Sequence, residues 1–535
     1  MRYVKFKCIG FALSALCVVA LSLTSCDSGF EEMNTDPNAY TVPDFSTLFT
    51  TSLIRTVGTG TTDRNRTNMK YLSGAMQFHA TLQTFWYGEK GIVNAQTGNF
   101  FETVYTSHLR ELEEVISGTT DNPDLINQNA MARIWKVFAL HRVTDAYGDV
   151  PYKEATLGST DGIYKPVYDK QSEIYPWMLQ DLDNAINQLD PSMSSFGAAD
   201  VIYGGDVQKW RTFGYSLMLR LAMRLTKVDQ GMAQEWAQKA VSGGVMQSNE
   251  DIAKLEHTPT GPNTWNWDAR ELKRESLPEG NQGAGLVKMG KTFIDLLQEN
   301  EDPRLPFYAT LWEGNINSQQ SQVITETTKP ELQKGLPNGY DPATISDAIP
   351  AWSNSLLTEY SEPNTATIAN FSAPSIILSY SEIEFLLSDM ALRGWGAGTA
   401  EEHYENAIRA NMESSNLFPN SNLSPMEITE SEISDYLNAH ILTGTQQEMT
   451  DQIYTQFYLA DYMYLDFFEA WSTWRRTGVP ELAPINYPLN TTGGEPIRRL
   501  MYSYDEKALN SENVEAAISA QGPDTYTTRV WWDVE

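Results

Sequence analysis

Apolar residues return at intervals of three and four along most of this chain, and that spacing restricts it to a helical fold. Ala130, Ile134, Val137, Phe138 and His141 share one helix face behind Asn122-Pro123, which reads as an N-cap with proline in the first turn. Asp206 caps a second stripe of Trp210, Phe213, Leu217, Leu221 and Leu225. Between them the spacing predicts a helix over about 169–189, which Pro176 should kink or restart. Ala233, Ala237 and Ala240 are small enough for close helix contact, on a segment over about 230–242 that stops at Gly243-Gly244. The pattern is clearest at 374–415, where Ile376, Tyr380, Ile383 and Leu387 form a stripe continued by Met390 and Ala391. Gly394, Gly396 and Gly398 break it, and Thr399 with Glu402 makes a capping box for a second helix through Tyr404, Ala407 and Ile408. Two antiparallel helices in about 40 residues is the size of a tetratricopeptide-like unit. A last long helix over about 451–476 is heavy with aromatics, Tyr454, Phe457, Tyr464, Phe468, Trp471 and Trp474 among them. The expected fold class is all-α.

Two stretches depart from this pattern. Between about 255 and 370, Gly, Pro, Asn, Ser and Thr are frequent and apolar periodicity fades, apart from a short helix near Phe293 to Leu297. So long an irregular stretch inside a compact protein is usually functional loop rather than linker. At the other extreme, Arg2, Lys5 and Lys7 precede an uncharged run from Cys8 to Leu23. That run is shorter than the roughly 20 residues needed to span about 30 Å of hydrocarbon, so residues 1–25 read as an export signal. Leu23-Thr24-Ser25-Cys26 looks like a bacterial lipobox, in which Cys26 is lipidated and becomes the new N-terminus. Residues 26–38 (CDSGFEEMNTDPN) read as a polar tether, and 39–535 as the folded body.

Cleavage removes two of the three cysteines, Cys8 and Cys17, and lipid blocks Cys26. The body must therefore hold together by burial without a disulfide. Cleavage also removes three basic and no acidic residues, taking the net charge from -31 to -34. A polyanion of that kind repels nucleic acid and anionic headgroups, so any membrane residence must come from the lipid anchor.

Catalytic and cofactor motifs are missing. The six histidines, His79, His108, His141, His257, His403 and His440, form no local zinc pattern, and there is no nucleophile elbow or phosphate loop. No metal or cofactor is expected. Asp145, Asp149 and Glu154 cluster near a loop and resemble an acid/base pair, but capping duty in an acidic chain explains them better. The remaining chemistry is aromatic. Flat faces of Trp and Tyr stack on sugar rings, and their N–H and O–H groups reach sugar hydroxyls. Trp135, Trp210, Trp471 and Trp474 sit on helical stripes and belong to the core. The candidates for ligand contact lie in loop-like sequence: Trp86 and Tyr87, Trp265 and Trp267 in GPNTWNWD, Trp312, and also Trp352.

Several segments in order carry a family resemblance. After the lipobox come FEEMNTDPN at 30–38, YGDVPYKEA at 147–155 and GDVQKWRTFGYSLMLRLAMRL from Gly205. DPRL at 302–305, SYSEIEFLLSDMALRGW at 379–395, EAWSTWRRTGVPEL at 469–482, IRRLMYSYDE from Ile497 and VWWD from Val530 follow. In these the chain resembles the SusD/RagB-type nutrient-binding lipoproteins. Ser388-Asp389-Met390 departs from a usual Ala-Glu-Ala run, and IRRLMYSYDE lacks the usual proline. The resemblance implies tetratricopeptide-like helical repeats with an irregular, loop-rich ligand-binding subdomain. It implies a SusC-like TonB-dependent transporter as partner and an outer-membrane, lipid-anchored location facing the cell exterior. The loop aromatics and the absence of a nucleophile or metal motif make oligosaccharide binding, rather than an enzymatic role, the leading reading. A peptide-binding importer of the same architecture, a lipid-anchored glycosidase using Asp149 and Glu154, and a lid that contacts only the transporter are the alternatives.

Overall fold

The computed structural model describes residues 44–57, 65–158, 161–258, 265–275, 286–313, 325–396 and 398–535. The export signal, Cys26 and the tether lie outside them. Residues Ser46–Glu535 form one unit of their own.

Its longer helices, in chain order, are α1 (Phe45–Val57), α2 (Leu109–Thr119), α3 (Ile126–Tyr147), α4 (Gln171–Gln188), α5 (Val207–Arg224), α6 (Gln230–Gly243) and α7 (Trp267–Glu275). They continue with α8 (Lys291–Glu299), α9 (Tyr380–Leu392), α10 (Ala400–Ser414), α11 (Glu430–Ala439), α12 (Gln446–Tyr464), α13 (Phe467–Thr477) and α14 (Ser511–Gln521). The pairs α3/α4, α5/α6 and α9/α10 pack together, the last two across short loops that turn the chain back on itself. Asn122 caps a single 3-10 turn before α3, and Asp206 accepts from the backbone N–H of Gln208 and Lys209 to start α5. Gly244, at φ +104°, closes α6 in the left-handed conformation that glycine adopts without strain. Among the described residues no helix is long and apolar enough to cross a membrane.

The structure corrects several local expectations. Pro176 neither ends nor restarts α4, which is continuous from Gln171 to Gln188. Proline there, in the second turn, removes one backbone donor while packing against the rest of the unit holds the helix. Ile376 belongs to a strand, not to a helix stripe. Among the short strands β1 (His79–Ala80), β2 (Ala253–Leu255), β3 (Lys288–Met289), β4 (Ala309–Glu313), β5 (Thr325–Thr327), β6 (Glu362–Pro363) and β7 (Ser375–Leu378), β7 pairs antiparallel with β2. Ser379 then caps α9 by accepting from Glu382 N. At Thr399 only half of the capping box forms, since Glu402 meets the Thr399 hydroxyl rather than its backbone N–H. Complete boxes stand instead at Thr429/Glu432 and Thr445/Glu448. The expected helix over 451–476 is two helices, α12 and α13, broken at Leu465 with φ +48°. Asn68 bridges the break, donating to Leu465 O at 2.7 Å and accepting from Phe467 N at 3.0 Å, so the freed backbone groups are satisfied.

The irregular stretch also carries more regular structure than its sequence pattern gives. It contains α7, α8 and a three-stranded sheet in the order β5-β4-β6. The body remains helical, with these small sheets on it.

Buried ion pairs tie the helices together. Arg220 Nε and Nη2 on α5 each donate at 2.6 Å to Glu382 on α9. One turn later Arg224 Nη2 reaches both oxygens of Glu469 on α13, at 2.9 and 2.7 Å. Arg476 of α13 meets Asp389 of α9 at 3.3 Å. Arg498 pairs with Asp533 at 3.1 Å, and Arg304 forks onto Asp302 at 2.9 and 2.6 Å. Every one of these residues lies in a segment that carries the family resemblance, so those segments are scaffold. Burial pushes the Glu469 carboxyl up, but the Arg224 and Arg220 guanidiniums outweigh it and hold the group well below the usual carboxylate range. His141 is a core histidine. Its Nδ1 donates to Phe138 O at 2.6 Å, and burial, with Arg220 and Arg142 nearby, holds its pKa well below the ordinary value.

Candidate ligand-binding surface

Asn266 organises the aromatic group. It is buried, and its Oδ1 accepts from Ala269 N at 3.0 Å, capping α7. Its own N–H donates to Phe371 O at 2.9 Å and its Nδ2 to Ala373 O at 3.1 Å, fixing the WNW segment on the 370–374 turn. With Asn266 turned inward, its neighbours Trp265 and Trp267 face the other way. Trp265 is 39% exposed and Trp267 is half-buried. Their rings meet edge to face at 6.1 Å, and Phe371 lies 6.2 Å from Trp265 at a tilt of 45°. Arg270 lies over both indoles, its guanidinium carbon 5.0 Å from the Trp265 ring and 4.4 Å from Trp267. Lys273 Nζ sits 4.7 Å from the Phe371 ring.

Ala269 and Leu272 bury the underside of α7, and its carboxylates hold it to Asn65–Ser73. Asp268 accepts from Asn68 at 3.1 Å, and Glu271 pairs with Lys70 at 3.1 Å. Asn65–Ser73 also carries the loop of the other candidates. Lys70 lies over the Phe85 ring at 5.3 Å, and the half-buried Tyr87 packs on Tyr71 at 5.3 Å. Gly88 makes that approach possible, because a Cβ there would lie 1.7 Å from Tyr71 O.

The sequence candidates therefore separate. Trp265 and Trp267 form one surface, and Tyr87 stands on the same supporting segment. Trp86 is a correction: it is fully buried, edge to face with His79 at 5.5 Å, and offers no face to a ligand. A large ring next to Gly88 reads as a loop aromatic, but the loop folds it inward. Trp312 lies in β4 opposite Glu326, and its side chain is outside the described residues. Trp352 packs on a small apolar cluster with Leu82, Ile345 and Tyr360. Asp145, Asp149 and Glu154 are structural pins. Asp145 accepts from Tyr175 and from Trp532 Nε1, Asp149 from Gln171 N, and Glu154 from Val167 N. Phe371, Arg270 and Lys273 were not among the sequence candidates. Arg270 follows Trp267 by one helical step of three, a signal readable only once α7 is known to start there.

A cavity of about 710 Å³ opens elsewhere, between α8, the DPRL turn and α11. Its walls include Glu299, Glu301, Asp302, Glu432 and Asp435, with Tyr436 and His440 stacked at 4.0 Å. None of the aromatic group lines it. The exposed indole of Trp265 offers a sugar ring a flat stacking face, which makes the platform the candidate for glycan contact.

Residues 37–503 match the family model SusD-like_2, described as starch-binding associating with outer membrane. The chain belongs to the SusD-like family. Solved structures of this family cover nearly all of it. A chitin-binding protein is 29% identical, with 92% of this chain and 100% of that one aligned at a TM-score of 0.77. A SusD homologue from Bacteroides uniformis (24% identical, 92% and 100% covered, TM-score 0.72) shares the fold. So does a chitin-binding SusD homologue from Flavobacterium johnsoniae (24%, 92% and 99%, TM-score 0.71). None of the curated proteins matches the chain. As a SusD-like protein it has a helical scaffold knitted by the segments quoted above, and the WNW surface lies outside those segments.

Proposed function

We propose that this SusD-like protein is a cell-surface lipoprotein that binds nutrient oligosaccharides and delivers them to a SusC-like TonB-dependent transporter. The observation that carries the reading is the exposed indole of Trp265, set beside Trp267 and Phe371 on a rigidly capped helix start. An aromatic face fixed before binding stacks on the C–H face of a sugar at little entropic cost. The family's outer-membrane association and the chitin-binding relative support the ligand class and the location. Lipid on Cys26 anchors the protein on the outer face of the outer membrane, the 26–38 tether lets the body swing, and Tyr87 extends the binding surface.

Calorimetric titration of the folded protein with a panel of oligosaccharides tests this. A glycan should bind, and Trp265→Ala should weaken it about tenfold, the scale of one lost stacking contact. Binding of a peptide panel with no response to any glycan would replace the reading with a peptide importer.

A further inference from the structure

The faces of α7 separate charge by sign. Asp268 and Glu271, three apart, are buried and turned to Asn65–Ser73, where Asn68 and Lys70 engage them. Arg270 and Lys273, also three apart, are half-buried on the aromatic side. Arg270 differs from most arginines of this chain. Arg55, Arg133, Arg142, Arg220, Arg304 and Arg409, for instance, all pair with carboxylates. Among the described residues the Arg270 guanidinium meets no carboxylate and no carbonyl, only the two indole faces. That is notable in a chain with 69 acidic and 38 basic residues. A guanidinium lying over an aromatic ring keeps its in-plane N–H fork open, and that fork matches the two oxygens of a carboxylate or sulfate.

Resting on the oligosaccharide reading, we infer that this surface selects anionic sugars, those bearing carboxylate or sulfate groups. Trp265 takes the apolar face of a ring, and Arg270 takes the acidic substituent in its N–H fork. The net charge of the protein would otherwise repel such a ligand, so Arg270 acts as the entry condition.

Calorimetry on the full folded chain, with three probes of matched length, tests the inference. The probes are oligogalacturonate for carboxylate, carrageenan oligosaccharide for sulfate, and chitin oligosaccharide as the neutral control. At least one acidic probe should bind more tightly than the neutral one and lose affinity as salt rises. Arg270→Gln should weaken that probe by about ten- to hundredfold, the scale of a charge-assisted pair, while moving the neutral sugar little. Arg270→Lys, which keeps the charge, should recover part of the loss, and circular dichroism reports whether each variant is folded. If both acidic probes bind no better than the neutral one, or Arg270→Gln acts on all three alike, charge selection is wrong. Trp265→Ala separates the two levels. If it weakens every probe while Arg270→Gln discriminates nothing, the glycan surface stands and only charge selection falls. If Trp265→Ala changes no affinity, or no sugar binds at all, the surface itself falls.

Discussion

Trp86 and Trp265 show how differently two loop tryptophans are used. Both stand in polar, turn-rich sequence, yet one is fully buried and the other 39% exposed. The difference lies in their neighbours. Gly88 lets the 86–88 turn settle directly on Tyr71, which drives Trp86 under His79. Asn266 takes the inward position of WNW and leaves both indoles outside. Trp86→Ala should therefore cost about 3–5 kcal/mol in denaturant unfolding, as large-to-small core changes do, while sugar affinity of the folded protein holds. Asn266 is held inward by Ala373, 107 positions away, and no local pattern carries that. The candidate surface was thus half legible. Trp265 and Trp267 stood out by type and context, whereas Phe371 enters through a backbone bond that only the fold creates.

At the scale of elements, the cap at Asp206 was readable and the break at Leu465 was not. Asp206 sits before its stripe and performs the expected role, so Asp206→Ala should lower stability by about 1 kcal/mol, read as a shift in denaturant midpoint at unchanged slope. The 3.6-residue pattern likewise placed α3 to α6, α9 and α10, although only some of these, α4 and α6 among them, bury a single stripe while α3 and α9 are buried on nearly every side. The break at Leu465 left no such trace. The aromatic run continues through it, and what makes it tolerable is the distant side chain of Asn68. Ile376 failed for a related reason: a short buried strand and the first turn of a helix look alike in an apolar run, and pairing with β2 decides between them. In the irregular stretch the sheet β5-β4-β6 depends on partners far apart in sequence, and its strands are too short to announce themselves.

Across the whole molecule, Glu469 is the carboxylate whose arginine partners most clearly outweigh the cost of burying it. Glu469 is held below its ordinary pKa of 4.5 in the folded state, so the unfolded chain takes up its proton first as pH falls. The stability it contributes is complete above about pH 4.5 and is lost on acidification through the folded pKa. Urea unfolding at a series of pH values should show a falling acid limb below that point. Glu469→Gln should flatten the limb and also lower stability throughout, by about 1.5–3 kcal/mol, because Arg224 loses the closer of its two carboxylates and keeps only Asp145 at 3.4 Å. An unchanged slope would remove Glu469 from the account.

The pin from Trp532 Nε1 to Asp145 joins residues 387 positions apart, at 2.8 Å, and Asp533 holds Arg498 beside it. A contact that distant in sequence carries a large loop-closure cost and forms only once most of the intervening body is in place. The VWWD segment therefore works as a latch, fastened late in folding and holding α3 to residues far along the chain.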